Sequence, residues 1–296
     1  MIKNKNHKAF SLIEISMVIL VIGILIAGVS QGIDLYDDYR LASARNLTKN
    51  SLVNRIPDLE MWLETTSENS LATGTASFTD KPNPADQDSI GRWNNINPNI
   101  LPTARNHATQ ATSINNQPKY IRKGMNGLPA LLFDGTNDFF SYNGDFLVGS
   151  DYTIFVVEAR SSKKEANYFL SGSSGELFSN LILGYSSDIS VVQANFGNGV
   201  SKSIPSYKNP INKIYGFYFS KTLGMSIYTN GILSINDYTK KTPLTKYPNS
   251  SIGYYGFYTY YQGSIAEIIF YTRALTDKER QGVEAYLSKK WGIKLG

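Results

Sequence analysis

Three patterns of apolar and polar residues follow one another along the chain. Residues 10–33 are almost all apolar or small, and Glu14 is the one ionisable residue among them. A helix over that stretch would reach about 36 Å, enough to cross a hydrocarbon core of about 30 Å. From Asp34 onward mixed charges replace the apolar run, while Leu41, Ala44, Thr48, Leu52 and Ile56 recur at helical spacing. The pattern therefore predicts one helix over residues 10–55. Pro57 is its stop, because proline lacks an amide and disfavours helix in the residue before it.

Beyond Pro57 short runs rich in Val, Ile, Tyr and Phe are separated by Gly, Asn, Pro and Ser. They predict strands at residues 130–133, 152–159, 180–185, 190–196, 213–220 and 265–271. Two more flank Asn230-Gly231, a pair suited to the positive φ angles of a tight hairpin turn. Residues 65–90, rich in Thr, Ser, Asp and Pro, read as a long surface loop. At the C-terminus Thr276 and Glu279 have capping-box spacing, and Val283, Tyr286, Leu287 and Trp291 give a helix one apolar face. Many short strands with almost no helix predict a sandwich or barrel.

Charge adds a direction. Lys3, Lys5 and Lys8 precede the apolar run and Asp34, Asp37 and Asp38 follow it. The positive-inside rule places residues 1–9 in the cytoplasm and the rest outside. Without those three lysines the formal charge falls from +5 to +2, which gives no reason to expect nucleic acid as a partner. The chain has no cysteine, so disulfides and thiolate chemistry are excluded. A charge such as Glu14 costs roughly 3 kcal/mol near the centre of a spanning helix, so its presence needs a reason.

The stretch "KAFSLIEISMVILVIGILIAGV" supplies one. It resembles the N-terminal processing signal of type IV pilins and type II secretion pseudopilins: a basic leader, a small residue, Phe, then Ser-Leu-Ile-Glu. The resemblance implies cleavage between Ala9 and Phe10, with Ala9 standing where Gly is usual, and N-methylation of Phe10. Glu14 is then fifth in the mature chain, where it pairs with the terminal amine of an adjacent subunit during filament assembly. Two buried charges that neutralise each other cost far less than either alone. The partners implied are a prepilin peptidase, other pilins or pseudopilins, the inner-membrane assembly platform and the membrane itself. The implied location is the bacterial inner membrane, single-pass, with the N-terminus cytoplasmic and the head periplasmic, then a pilus, pseudopilus or cell surface. Gln31 occupies a region where major pilins often carry proline, which leans toward a minor pilin or pseudopilin.

The segments "IPDLEMWL", "IGRWNN", "NHATQ", "NGLPALLFDGTNDFF" and "GSIAEIIFYTRAL", with a final "WG", resemble concanavalin A-like, laminin G-like jelly-roll domains. The fold class expected is mainly β: a transmembrane pilin-type helix, an antiparallel β-sandwich of jelly-roll type and a short C-terminal helix. The division expected is a leader at 1–9, a helix at 10–56 (10–33 in the membrane, 34–56 a stalk) and a head at 57–296.

Glycosidases on this scaffold carry a Glu-x-Asp-x-x-Glu spacing on one strand, and no predicted strand has it. Glu158 and Glu267 are isolated carboxylates, read as surface or edge residues. His7 leaves with the leader and His107 reads as a satisfied loop residue, so triad catalysis and histidine-cluster metal sites lack support. The head is expected not to be an enzyme. In "FDGTNDFF", Asp134, Asn137 and Asp138 could offer oxygens to calcium, or close a turn on their own backbone; no other cofactor is implied. In "IGYYGFYTYYQG" a continuous strand would put Tyr254, Tyr258 and Tyr260 on one face and Tyr255, Phe257 and Tyr261 on the other. Tyr254, Tyr258, Tyr260 and Tyr261 are the carbohydrate-binding candidates, since exposed tyrosines make flat platforms for sugar rings. The function expected is a pilin-like subunit displaying a lectin-like head for adhesion or partner binding. The alternatives are a structural head that contacts neighbouring subunits or cargo and, third, a glycan hydrolase.

Overall fold

The computed structural model describes residues 11–74, 83–172, 179–195, 197–256 and 259–296. Contacts divide the chain into two compact units, Met1–Ser43 and Ala44–Gly296.

Helix α1 is continuous over Leu12–Lys49. Its apolar N-terminal part leaves its side chains uncovered, with Leu12 87% exposed and Met17 66% exposed. The helix ends at Lys49, earlier than the predicted residue 55. Ser51 N–H turns back to the carbonyl of Thr48, and a 3-10 turn at Val53–Arg55 follows. Past the helix end, Val53 and Ile56 are buried in the head's core. Ala44 and Thr48 are buried as well, so the head's contacts begin ahead of the predicted boundary at Pro57.

The head is built of strands. They are β1 (Leu59–Glu64), β2 (Leu71–Thr73), β3 (Ile90–Trp93), β4 (Ala108–Thr109), β5 (Lys119–Met125) and β6 (Leu128–Asp134). Next come β7 (Phe140–Ser141), β8 (Tyr152–Arg160), β9 (Asn167–Ser171), β10 (Leu181–Ser187), β11 (Ser190–Asn195) and β12 (Asn198–Ser203). The last are β13 (Lys213–Ser220), β14 (Gly224–Thr229), β15 (Ile232–Asp237), β16 (Ser251–Ile252), β17 (Tyr254–Tyr255), β18 (Thr259–Tyr260) and β19 (Gln262–Tyr271). Helix α2 (Asp277–Trp291) closes the chain.

Two antiparallel sheets form the sandwich. One runs β15-β14-β13-β8-β19-β6-β5, with β1 also pairing to β19; the other runs β12-β11-β10-β9-β16-β7-β4-β3-β2. The predicted strands are all present. Asn230 and Gly231 take positive φ angles of 49° and 81°, which the β14–β15 hairpin requires. Residues 65–90 are not wholly a surface loop: Thr65, Thr66 and Ser70 are buried, and β2 pairs with β3.

The central strands of the first sheet, β8 and β19, are covered on both faces. Ile154 and Val156 of β8 pack with Phe169, Leu183 and Trp93 of the second sheet, while Phe155 and Val157 pack with Val283, Leu287 and Trp291 of α2. Alternation along β8 therefore places every residue in one core or the other, and all nine are buried. Helix α2 starts with the predicted capping box between Thr276 and Glu279 and ends at Gly292 in the left-handed region.

Candidate functional site

At the N-terminal end of α1, Ser11 N–H donates to Glu14 Oε2 at 2.8 Å. The carboxylate thus caps the helix start, beside the position where cleavage would leave an amine. Ala9 and Phe10 lie outside the described residues. The helix is long and apolar enough to cross a membrane, with a window of mean hydropathy 2.8 that no part of the protein buries.

In the head, the tyrosine-rich stretch is not one continuous strand. Strands β17 and β18 are the arms of a hairpin, with Tyr254 opposite Tyr260. Their rings lie 5.0 Å apart, and Phe139 stands 5.4 Å from Tyr254 and 6.4 Å from Tyr260. Tyr168 meets Tyr255 edge-on at 5.1 Å. All five rings are half-buried. They form an aromatic surface beside β9, anchored where the Tyr254 carbonyl accepts from Ser171 Oγ and Ser251 Oγ.

Tyr258 lies outside the described residues. Tyr261 is a correction: it is fully buried, and its hydroxyl donates to Glu158 Oε2 at 2.6 Å, so it cannot present a face to a sugar. Sequence reasoning missed Phe139 as a third member of the cluster. Its signal was the doubled Phe139-Phe140, where alternation sends Phe140 into the core and leaves Phe139 outside.

The adjoining "FDGTNDFF" segment is a turn. Asp134 Oδ1 accepts from the N–H groups of Thr136 (2.7 Å) and Asn137 (3.2 Å), and Asp138 Oδ2 accepts from Asp134 N–H at 2.9 Å. Burial pushes the Asp138 carboxyl up to about 6. Among the described residues no group of three acidic, histidine or cysteine side chains could hold a metal.

Glu158 and Glu267 are the larger correction. Both are fully buried, because the central strands that carry them, β8 and β19, are covered on both faces. Glu158 accepts from Tyr185 at 2.5 Å as well as from Tyr261, and burial raises its pKa. Glu267 accepts from the indole N–H groups of Trp62 and Trp291, each at 2.7 Å, and from Tyr286 at 2.8 Å. Lys290 lies 2.7 Å from Glu64 Oε2 and 2.9 Å from Glu267 Oε2, with all three side chains excluded from water. Glu64 also accepts from Thr66 N–H, Thr66 Oγ1 and Ser67 N–H. Burial alone would raise the Glu64 pKa, but Lys290 and these donors hold it down at about 2. The ammonium, two indoles and a phenol satisfy the carboxylates together. This network ties α2 to β1 and β19.

His107 does behave as a satisfied loop residue: its Nδ1 accepts from Asn95 N–H at 3.1 Å.

Comparison with known proteins bears on the two units differently. Residues 4–30 match the family described as the prokaryotic N-terminal methylation motif. The chain thus carries a pilin-type N-terminus. No curated protein matches the sequence. Among solved structures the chain is similar to Trypanosoma rangeli sialidase, at 12% identity and a TM-score of 0.51, over 79% of this chain and 33% of that one. The same enzyme in complex with sialic acid gives 14% identity and a TM-score of 0.50, over 79% and 33%. Its covalent intermediate with 2,3-difluorosialic acid gives 12% identity and a TM-score of 0.50, over 87% and 39%. The chain spans about a third of the length of these proteins. Likeness at that identity shows the fold alone: a mainly β, jelly-roll-like sandwich.

Proposed function

We propose that this chain is a minor pilin or pseudopilin of a type IV pilus or type II secretion pseudopilus. It is cleaved between Ala9 and Phe10 by a prepilin peptidase, N-methylated on Phe10, and held in the inner membrane until other pilins and the assembly platform draw it into a filament. The match of residues 4–30 to the methylation motif carries this reading. The uncovered apolar side chains of α1 support it, since they require lipid or neighbouring helices around them. Glu14 pairs with a neighbour's amine in the filament. Replacing Glu14→Ala is expected to leave cleavage intact and to cut filament incorporation strongly; equal incorporation would contradict the pairing.

The head, a concanavalin A-like or laminin G-like module in this reading, displays the Phe139–Tyr254–Tyr260 surface for adhesion to glycans. The geometry favours binding over hydrolysis. Most glycoside hydrolases use two carboxylates facing a substrate, whereas Glu158 and Glu267 are buried and spent on tyrosine, tryptophan and lysine donors. A purely structural head is the second reading. A glycan array on the full chain in detergent separates them: binding lost in Tyr254→Ala and Tyr260→Ala supports adhesion, and an array without hits favours the structural head.

A further inference from the structure

The head contains a cleft of about 680 Å³ apart from the aromatic surface, with Trp62 of the buried network in its wall. Among the described residues four cationic side chains line it, Arg45, Lys49, Arg92 and Arg105, against a single acid, Glu68. Two of the guanidinium groups are fixed along one edge. Arg45 donates through Nε to the Thr66 carbonyl at 2.8 Å and through Nη1 to Glu68 at 3.1 Å. Arg105 donates through Nε to the Ile100 carbonyl at 3.0 Å, and the rest of its fork has no protein acceptor among the described residues. Lys49 is exposed at the rim. His107 in the same wall registers the positive potential: half-burial lowers its pKa first, and Arg92 and Arg105 lower it further. The cleft is built for carboxylates or another anion.

The same sequence holds a complement. In "DLYDD", Asp34, Asp37 and Asp38 stand at i, i+3 and i+4 on α1, so the three carboxylates share one side of the helix. Asp34 and Asp38 are exposed. We propose that the basic cleft of one subunit receives this acidic face from a second copy of the chain. The inference rests on the filament reading and names the head–stalk contact that would set the stagger between subunits.

The direction of displacement agrees with that reading. A copy whose Phe10 amine reaches its neighbour's Glu14 is shifted by about four residues, ~6 Å of helix rise. The shift brings lower-numbered residues of one helix level with higher-numbered residues of the next. Asp37 precedes Arg45 by ~12 Å of rise, so the acidic face comes level with the cleft after two such steps. The opposite displacement would carry the acids away from it.

The absence of cysteine allows an unambiguous test. Full-length chains carrying Asp38→Cys and full-length chains carrying Lys49→Cys are co-expressed in cells that assemble the filament, then oxidised and recovered from the filament fraction. The expected result is a disulfide-linked dimer that neither variant gives alone. In separate strains, Lys49→Glu should lower incorporation about tenfold, and adding Asp38→Lys to the same chain should restore most of it. Incorporation of the cysteine variants without a cross-link, or of Lys49→Glu at the normal level, would overturn the docking while leaving the filament reading intact. Wild-type chains that never enter a filament would overturn both. Loss of binding to an acidic glycan or nucleic acid in Lys49→Glu, with incorporation unchanged, would assign the cleft to that ligand and overturn the proposal too.

Discussion

The helix of Leu12–Lys49 and the sandwich that follows it handle apolar surface in opposite ways. In the helix Ile13, Val18, Leu20 and Leu25 each remain at least half exposed. In the head even charged groups are covered: Glu64, Glu158 and Glu267 are fully buried beside Trp62, Tyr185 and Trp291. One region depends on a surrounding that the chain does not supply, and the other supplies its own. The lesson is that the apolar run of the first must be interpreted through partners, and the polar residues of the second through packing.

The comparison breaks most visibly at the point where the two regions are cut apart. A fragment starting at Ala44 is expected to leave the membrane fraction entirely and to melt cooperatively with a β-rich circular dichroism spectrum. Starting at Pro57 instead removes Val53 and Ile56 from the core, and with them the Val53 carbonyl that accepts from Tyr271. At ~1.5–3 kcal/mol for each buried aliphatic side chain, that shorter fragment should lose about 3–6 kcal/mol in urea titration. Equal stability of the two fragments would place the boundary back at Pro57.

Nearly as large an effect is expected from Lys290→Met, which leaves two buried carboxylates without their cation. Removing one partner of a buried pair costs about 3–5 kcal/mol, and a drop under 1 kcal/mol would mean that the indole and phenol donors alone suffice.

Acid should act more gently on the same network. The Glu64 pKa is held down at about 2, against 4.5 for a free glutamate. Its stabilisation is therefore complete above pH about 4.5 and lost as pH falls toward 2, on the order of 3 kcal/mol in all. Glu279, held down to about 2 by Arg273, titrates in the same window but is partly open to solvent and contributes less. Glu64→Gln should flatten the stability profile below pH 4.5; an unchanged slope would show that other carboxylates govern acid unfolding.

The smallest effect belongs to the aromatic surface. Tyr254→Ala and Tyr260→Ala should each weaken glycan binding about tenfold, ~1.4 kcal/mol for one hot-spot contact. Because both rings are only half-buried, the melting temperature should move little.

The helix, most strand positions, the Asn230-Gly231 turn and the capped α2 were legible because each rests on a local rule: an apolar run, a turn dipeptide, a capping box. The partners of Glu158 and Glu267 were not. Glu158 faces the second sheet, where Tyr185 and Tyr261 meet it, and Glu267 faces α2, which packs onto β19 from the far side of the sheet. The sign was present in the near-continuous apolar runs of "YTIFVVEA" and "IAEIIFY", which suit doubly covered strands better than alternating ones. The tyrosine stretch misled in the same way. A two-residue period assumes a straight strand, and the antiparallel pairing of β17 with β18 sets Tyr254 against Tyr260 rather than beside it.

The pilin reading is tested most directly by the intact mass and N-terminal peptide of the protein recovered from cells with an active prepilin peptidase. The account predicts a chain beginning at Phe10 and carrying one added methyl group on its amine. A chain that retains Met1–Ala9, or one that begins at any other residue, would contradict it.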